Sequence, residues 1–202
     1  MKDLGALIFP GFELLDLFGP LEMFGLLPDH YRLHLVAETP GAVASAQGPQ
    51  AVATVGLAER DSFDLLLVPG GRGTRALVKD KGMLDRIARS CAACDHVLSV
   101  CTGSAVLAKA GVLDGRRATT NKAAFEQMMT HGPEVDWVRE ARWVEDGKFF
   151  TASGVSAGMD MALAVIAKLD GMEAAEQVAI WAEYEWHRDA DWDPFAKVHG
   201  LI

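Results

Sequence analysis

Val97-Leu98-Ser99-Val100-Cys101-Thr102-Gly103-Ser104 carries an apolar run straight into a helical pattern with no loop between the two. Residues 96–100 form the unbroken apolar stretch expected of a strand covered on both faces, the kind that makes parallel sheets. Residues 102–110 read as a helix closed by Gly111, placed just past the last turn where a left-handed backbone suits glycine. A strand that passes directly into a helix is one unit of an α/β fold, and here it sets a thiol, Cys101, on the junction.

The alternation continues outward on both sides. Toward the N-terminus, residues 4–9 read as a buried strand stopped by Pro10-Gly11, and 12–27 as helix around Asp16 and Glu22, with Gly19-Pro20 placed to bend or restart it. Residues 32–37, 50–55 and 64–68 read as strands, the last stopped by Pro69-Gly70-Gly71, and 80–93 as helix. Toward the C-terminus, 118–120 leads to a helix over 121–130 with Asn121 as its N-cap. Residues 135–144 and 148–151 read as strands joined at Glu145-Asp146-Gly147, since Asp-Gly is a strong hairpin signal. Helices follow over 157–169 and 172–184. The expected fold class is α/β: a doubly wound, mostly parallel, flavodoxin-like sheet flanked by helices, with a nucleophile elbow, in one domain over residues 1–202. Such sheets bind ligands beyond the carboxyl ends of their strands.

Half of the 202 residues are hydrophobic and 23% are charged, the balance of a globular chain, and no apolar stretch is long enough to span a bilayer. The N-terminal run lacks the longer apolar region and cleavage site of a signal peptide, so a cytoplasmic protein is expected. A formal net charge of −9 disfavours nucleic acid and acidic membranes as partners. Three cysteines make no disulfide framework and point to reduced thiols. Cys91-Ala92-Ala93-Cys94 lies at a helix end without a second pair, and the six histidines show no ligand spacing. Neither metal nor cofactor is expected, and the Cys91/Cys94 pair reads as structural or mildly redox-sensitive.

Three strand-to-helix turns compete for the chemistry. Gly71-Arg72-Gly73-Thr74-Arg75-Ala76 is formally a dinucleotide fingerprint, but Pro69-Gly70 interrupts the step from strand to loop and Asp95 precedes a strand where a ribose-binding acid must end one. Gly154-Val155-Ser156-Ala157-Gly158 satisfies the serine-hydrolase pattern, yet no later strand follows to carry an acid and a base. Tight helix–sheet packing by small residues is the plainer reading. The third is Cys101, where helix dipole and free N–H groups favour a nucleophilic thiolate. Gly103 permits close approach of helix and strand, and the N–H groups of Thr102 and Gly71 are placed to form an oxyanion hole, with Gly70 beside them. A buried structural cysteine is the alternative.

Asp16, within Leu14-Leu15-Asp16-Leu17-Phe18, has two readings on pattern alone: an acid enclosed among apolar groups that keeps its proton, or a residue on the solvent face of its helix. The aromatic stretch Trp181, Tyr184, Trp186, Trp192 and Phe195 suits core packing, a dimer contact or a pocket wall.

Phe9-Pro10-Gly11-Phe12 with Asp16-Leu17-Phe18-Gly19-Pro20, then Val68-Pro69-Gly70-Gly71, then Val100-Cys101-Thr102-Gly103-Ser104, resembles the ThiJ/PfpI superfamily. The likeness continues through residues 110–120 and 153–160 and covers about residues 1–185. It implies that Asp16 faces Cys101. Within the superfamily the chain looks most like the isocyanide (isonitrile) hydratases, which carry Asp at this position and Cys-Thr-Gly at the elbow. Many relatives have a histidine after the segment matching Ala118-Thr119-Thr120, where this chain has Asn121. The resemblance implies cysteine-dependent hydration of a small isocyanide, with Cys101, Asp16 and Thr102 catalytic and Gly70, Gly71 and Gly103 bounding the substrate or oxyanion, in a homodimer. The alternatives it leaves are a non-catalytic redox or metabolite sensor or stress protein, and a glyoxalase or deglycase.

Overall fold

In chain order the computed structural model, which describes residues 1–60 and 62–202, consists of β1 (Lys2–Leu7), α1 (Leu14–Gly25), β2 (Tyr31–Ala37), β3 (Gly41–Ala44), β4 (Gln50–Ala53), β5 (Val55–Gly56), β6 (Leu65–Val68), α2 (Thr74–Leu77), α3 (Lys81–Ala93), β7 (His96–Val100), α4 (Gly103–Lys109), β8 (Arg117–Ala118), a 3-10 turn (Lys122–Ala124) running into α5 (Phe125–Met129), β9 (Asp136–Trp137), β10 (Trp143–Asp146), β11 (Phe149–Ala152), α6 (Ala157–Asp170), α7 (Met172–Trp181) and α8 (Pro194–Val198).

The main sheet has the order β10-β11-β7-β6-β1-β2-β5. Every pairing in it is parallel except β10 with β11 at one edge. The all-apolar β6 and the Val97–Val100 part of β7 are buried throughout, as strands covered on both faces must be. Helices flank this sheet: α1 packs against α6 and α6 against α7, while α4 packs against α2 and α3. From β1 the chain moves to β2 on one side and later returns to β6 on the other, so the order reverses between β1 and β6. That reversal opens a crevice beyond their carboxyl ends, and β7, which delivers Cys101, lies next to β6.

The departures from the expected elements have local causes. Residues 50–55 divide between β4, antiparallel to the unexpected β3, and β5 on the sheet edge. β3 is mostly exposed and has only small side chains besides Val43, so it offers no apolar alternation to read. The single strand expected over 135–144 is two: β9 pairs with β8 in a separate ladder and β10 joins the main sheet. Gly19-Pro20 does not break α1, which runs through with Pro20 inside it. The helix expected to reach 184 ends at Trp181, and Glu183 adopts a left-handed backbone (φ 47°) as the chain turns away.

The segment after α7 is fastened by a buried ion pair. Asp160 on α6 is fully buried, and its Oδ2 accepts from Arg142 Nε at 2.9 Å and Nη2 at 2.8 Å. Its Oδ1 accepts from the Tyr184 hydroxyl and from the His187 N–H, both at 3.0 Å, and its carbonyl from Trp186 Nε1 at 3.2 Å. Ala190 in turn accepts the Arg142 N–H at 2.7 Å. Removing the carboxylate would leave a buried guanidinium without its main counter-charge, which costs roughly 3–5 kcal/mol. Asp160→Ala is therefore expected to lose stability of that order in urea unfolding followed by tryptophan fluorescence; a change below about 1 kcal/mol would show that the tail is held by other contacts.

Candidate active site

Cys101 ends β7 with φ 55°, one of two non-glycine residues with a left-handed backbone among the described residues. A conformation of this kind costs of order 1–3 kcal/mol and persists only where the surroundings enforce it. Here they do: the Cys101 N–H donates to Ser153 O at 2.8 Å, and its carbonyl accepts from Ser104 Oγ and Thr120 Oγ1, both at 3.0 Å. The strand therefore turns into α4 without a loop, which is the elbow expected from the sequence. Gly103 makes the turn possible, because a Cβ there would fall 2.2 Å from the Val68 carbonyl oxygen of the neighbouring strand.

Asp16 lies in the first turn of α1 and is fully buried, so the enclosed reading holds and the solvent-face reading does not. Its Oδ2 accepts the Gly70 N–H at 2.9 Å, while Oδ1 is buried without a hydrogen-bond partner among the described residues. Gly70 lets the parts converge: a Cβ at that position would sit 2.7 Å from both Thr102 N and Thr102 Oγ1 and 2.8 Å from Asp16 Oδ2. Burial pushes the Asp16 carboxyl up to about 7 from 3.8, the Glu13 charge adds to this, and the Gly70 N–H and the Cys101 thiol pull it partly back.

The thiol departs from the sequence expectation. Burial pushes Cys101 upward, and the charges of Asp16 and Glu13 push the same way; the Thr102 N–H and the Asn121 side-chain amide draw it down. The two-turn α4 is outweighed by desolvation and by facing carboxylates. Near neutral pH the sulfur therefore keeps its proton while the acid stands close to half-protonated, so an incoming group meets a thiol beside a carboxyl able to give or take a proton.

The other expected site residues are close by but already engaged. Thr102 Oγ1 accepts the Gly71 N–H at 3.1 Å and the Thr74 hydroxyl lies 3.2 Å away. Of the two donors expected to form an oxyanion hole, the Thr102 N–H faces the sulfur and the Gly71 N–H is occupied by the Thr102 hydroxyl; the Gly70 N–H is occupied by Asp16.

The two competing turns are structural. In 71–76 the N–H of Gly73 goes to Gly11 O at 3.1 Å and that of Thr74 to Gly71 O at 3.1 Å, which leaves no cradle for a pyrophosphate. Ser156 has an ordinary right-handed backbone, and its Oγ accepts from Arg142 Nη2 at 3.1 Å. Cys91 and Cys94 are free and buried, burial pushes the Cys91 thiol up to about 12, and Lys148 Nζ caps the end of α3 at Cys91 O (2.6 Å) and Cys94 O (2.9 Å). Among the described residues no group of three or more His, Cys, Asp or Glu side chains could hold a metal ion, and no helix is long and apolar enough to cross a membrane.

A cavity of about 280 Å³ opens beside the elbow between Leu15, Asn121, Lys122, Val155, Ser156 and Phe195. Sequence reasoning missed most of its polar wall. Lys122 is buried, its Nζ donates to Thr119 Oγ1 at 2.8 Å and Ala141 O at 2.6 Å, and burial pulls its pKa down to about 8. Neither Lys122 nor Arg142 sits in a motif; each becomes visible only when the chain beyond β8 folds back onto the elbow. A larger cavity, about 390 Å³, lies beyond β1 and β2; neither cavity is lined by Cys101, Asp16 or Thr102, but the smaller one is bordered by Ser153, whose carbonyl accepts the Cys101 N–H.

Residues 5–168 match the model of the DJ-1/PfpI family. The chain is 39% identical to an isonitrile hydratase of Pseudomonas putida over 90% of its own length and 78% of that protein. It is 31% identical to the transcriptional regulator CdhR of Pseudomonas aeruginosa, of which it spans only 54%. The crystal structure of a ThiJ/PfpI family protein from Pseudomonas syringae superposes with a TM-score of 0.84 at 32% identity, covering 91% of this chain and 75% of that one. An elbow cysteine on a mostly parallel sheet and a family match over most of the chain agree: the chain belongs to the DJ-1/PfpI family.

Proposed function

We propose that the chain hydrates small isocyanides to N-substituted formamides. The observation that carries the reading is the fully buried Asp16 beside the Cys101 sulfur, its carboxyl raised to about 7, which suits an acid that must give and retake a proton near neutrality. The identity with an isonitrile hydratase supports it. The sulfur of Cys101 bonds to the terminal carbon of R–N≡C while the thiol proton, passed through Asp16, becomes the new C–H, giving an N-substituted thioimidate. Water then adds to that carbon, a proton goes to nitrogen, and the C–S bond breaks to return the thiol and release R–NH–CHO. Thr102 offers its N–H to the reacting centre, and its hydroxyl exchanges the Gly71 N–H for substrate or water. The substituent R occupies the cavity beside the elbow, whose apolar wall includes Leu15, Val155 and Phe195. A glyoxalase or deglycase reading asks for a histidine at the thiol, and Asn121 stands there.

Purified protein given an alkyl isocyanide should release the formamide, with Cys101→Ala inactive and Asp16→Asn slowed by about 10²–10⁴-fold. Absence of turnover by the unmodified chain, or lactate formed from methylglyoxal at a comparable rate, would remove this function.

The raised carboxyl has a second consequence. Between about pH 4 and 7 the folded state keeps a proton on Asp16 that the unfolded chain releases, so stability is greatest below this window and falls as pH rises through it. A shift from 3.8 to about 7 corresponds to a loss of order 4 kcal/mol across the window, absent in Asp16→Asn. The stability of the wild type minus that of Asp16→Asn, from urea unfolding at pH 4 and pH 8, should decline by that order; a difference independent of pH would mean that the carboxyl titrates normally.

A further inference from the structure

The cavity beside the elbow has walls of two origins. Leu15, Asn121, Gly154 and Val155 belong to residues 5–168, the stretch that matches the DJ-1/PfpI family, whereas Phe195 and His199 line it from the C-terminal segment beyond that match. The first wall adjoins the reacting groups. Leu15 precedes Asp16, Asn121 follows Thr120, whose hydroxyl donates to the Cys101 carbonyl at 3.0 Å, and Ser153 in the same wall accepts the Cys101 N–H at 2.8 Å. Cys101 keeps 7% exposure, so the elbow is not sealed.

The second wall is α8, and a five-residue helix has no stability of its own. It is seated on buried groups instead. Pro194 begins the helix, and the buried Asp193 caps it: Oδ1 accepts the Phe195 N–H at 3.0 Å and lies 3.8 Å from Arg142 Nη1. Arg142 is held in turn by Asp160. Ala196 is fully buried, and its carbonyl accepts the Leu201 N–H at 2.9 Å. A helix pinned at its cap and along its inner face holds its remaining side chains in place. Phe195 borders the cavity although it is 49% exposed, while Val198, at 71%, does not line it. A ring left half in water contributes less to stability than a buried one. On this wall it narrows the space beside the elbow.

We propose that Phe195 is a specificity-determining residue: its ring limits the size of the group that can sit beside Cys101, so that an elbow shared with the family is filtered by a wall supplied from α8. Leu15 and Val155 on the same cavity are apolar, and Lys122 and Arg142 are spent on protein acceptors, so the selection is by size and apolar fit rather than by charge. Only the identity of the selected group, the substituent R, rests on the isocyanide reading; the sieve itself needs no more than a reactive Cys101.

The test compares alkylation of Cys101 by iodoacetamide and by the bulkier N-phenyl iodoacetamide, both rates being read by mass spectrometry of the Cys101 peptide. In Phe195→Ala the rate with the bulky reagent relative to the small one should rise about tenfold, the scale on which an apolar pocket discriminates by a few carbon atoms. Phe195→Trp should lower the same ratio, and Val198→Ala, on the same helix but off the cavity, should leave it within about twofold of the wild type. Opposite signs from Ala and Trp distinguish a sieve from a loosened tail, which would raise the ratio in both. A ratio that does not rise in Phe195→Ala, that rises in Phe195→Trp as well, or that moves as far in Val198→Ala overturns the inference. With isocyanides the same order is expected, kcat/KM for a cyclohexyl over a methyl substituent rising in Phe195→Ala. If neither the wild type nor any variant hydrates an isocyanide, the hydratase reading fails while the alkylation ratio still decides the sieve.

Discussion

A carboxyl group and a thiol are both taken out of water at one point, and the rest of the site is arranged around the cost of doing so. Asp16 is fully enclosed with one oxygen on the Gly70 N–H and the other without a hydrogen-bond partner among the described residues, so its neutral form is favoured. Cys101 is raised for the same reason and by the same acid. Two groups that each resist ionisation tend to share what charge they must carry, and this couples them as a proton-holding pair rather than as a free thiolate with a bystander acid. The helix-dipole argument that marks such cysteines in sequence is real but small, and α4 supplies only two turns of it.

Geometry at the elbow follows from backbone constraints more than from side-chain chemistry. The left-handed Cys101 is tolerated because β11 and the segment around Thr120 hold both of its backbone polar groups. The glycines named as binding elements act chiefly as clearances. Gly103 allows α4 to begin against β6, and Gly70 lets Asp16 and Thr102 meet. Their N–H groups matter too, but in this state they orient the acid and the threonine rather than wait for an oxyanion.

What could be read in the sequence was what local pattern encodes. The β6 and β7 runs, the Cys101 junction and the parallel sheet follow from unbroken apolar stretches interrupted by glycine and proline, and these appear as expected. The Asn121 cap was legible because a cap is a local bond; that its segment lies against the elbow was not, because Thr119 and Thr120 meet β11 and Cys101 only in the folded chain. β3 escaped because small exposed residues carry no periodic signal, and 135–144 misled because apolar composition does not reveal which ladder a strand joins. For Asp16, helical spacing alone left burial undecided, and the outcome was set by the Gly70 turn and the elbow meeting that residue.

The least legible feature was the set of buried charges behind the cavity. Arg142 is committed to Asp160 and Ser156, and Lys122 to Thr119 and Ala141, so two cations that line the wall present little unspent charge to a ligand. An anionic substrate would have to displace bonds these cations already make and shed a strongly held hydration shell, while an uncharged one gives up far less on leaving water. On the proposed reading this favours a neutral reactant such as an isocyanide over an anionic one. The same bonds also tie the cavity wall to the C-terminal segment, since Asp160 holds Tyr184 and His187 while Phe195 and His199 border the opening. The buried ion pair therefore links the seating of the tail to one wall of the chamber beside the elbow.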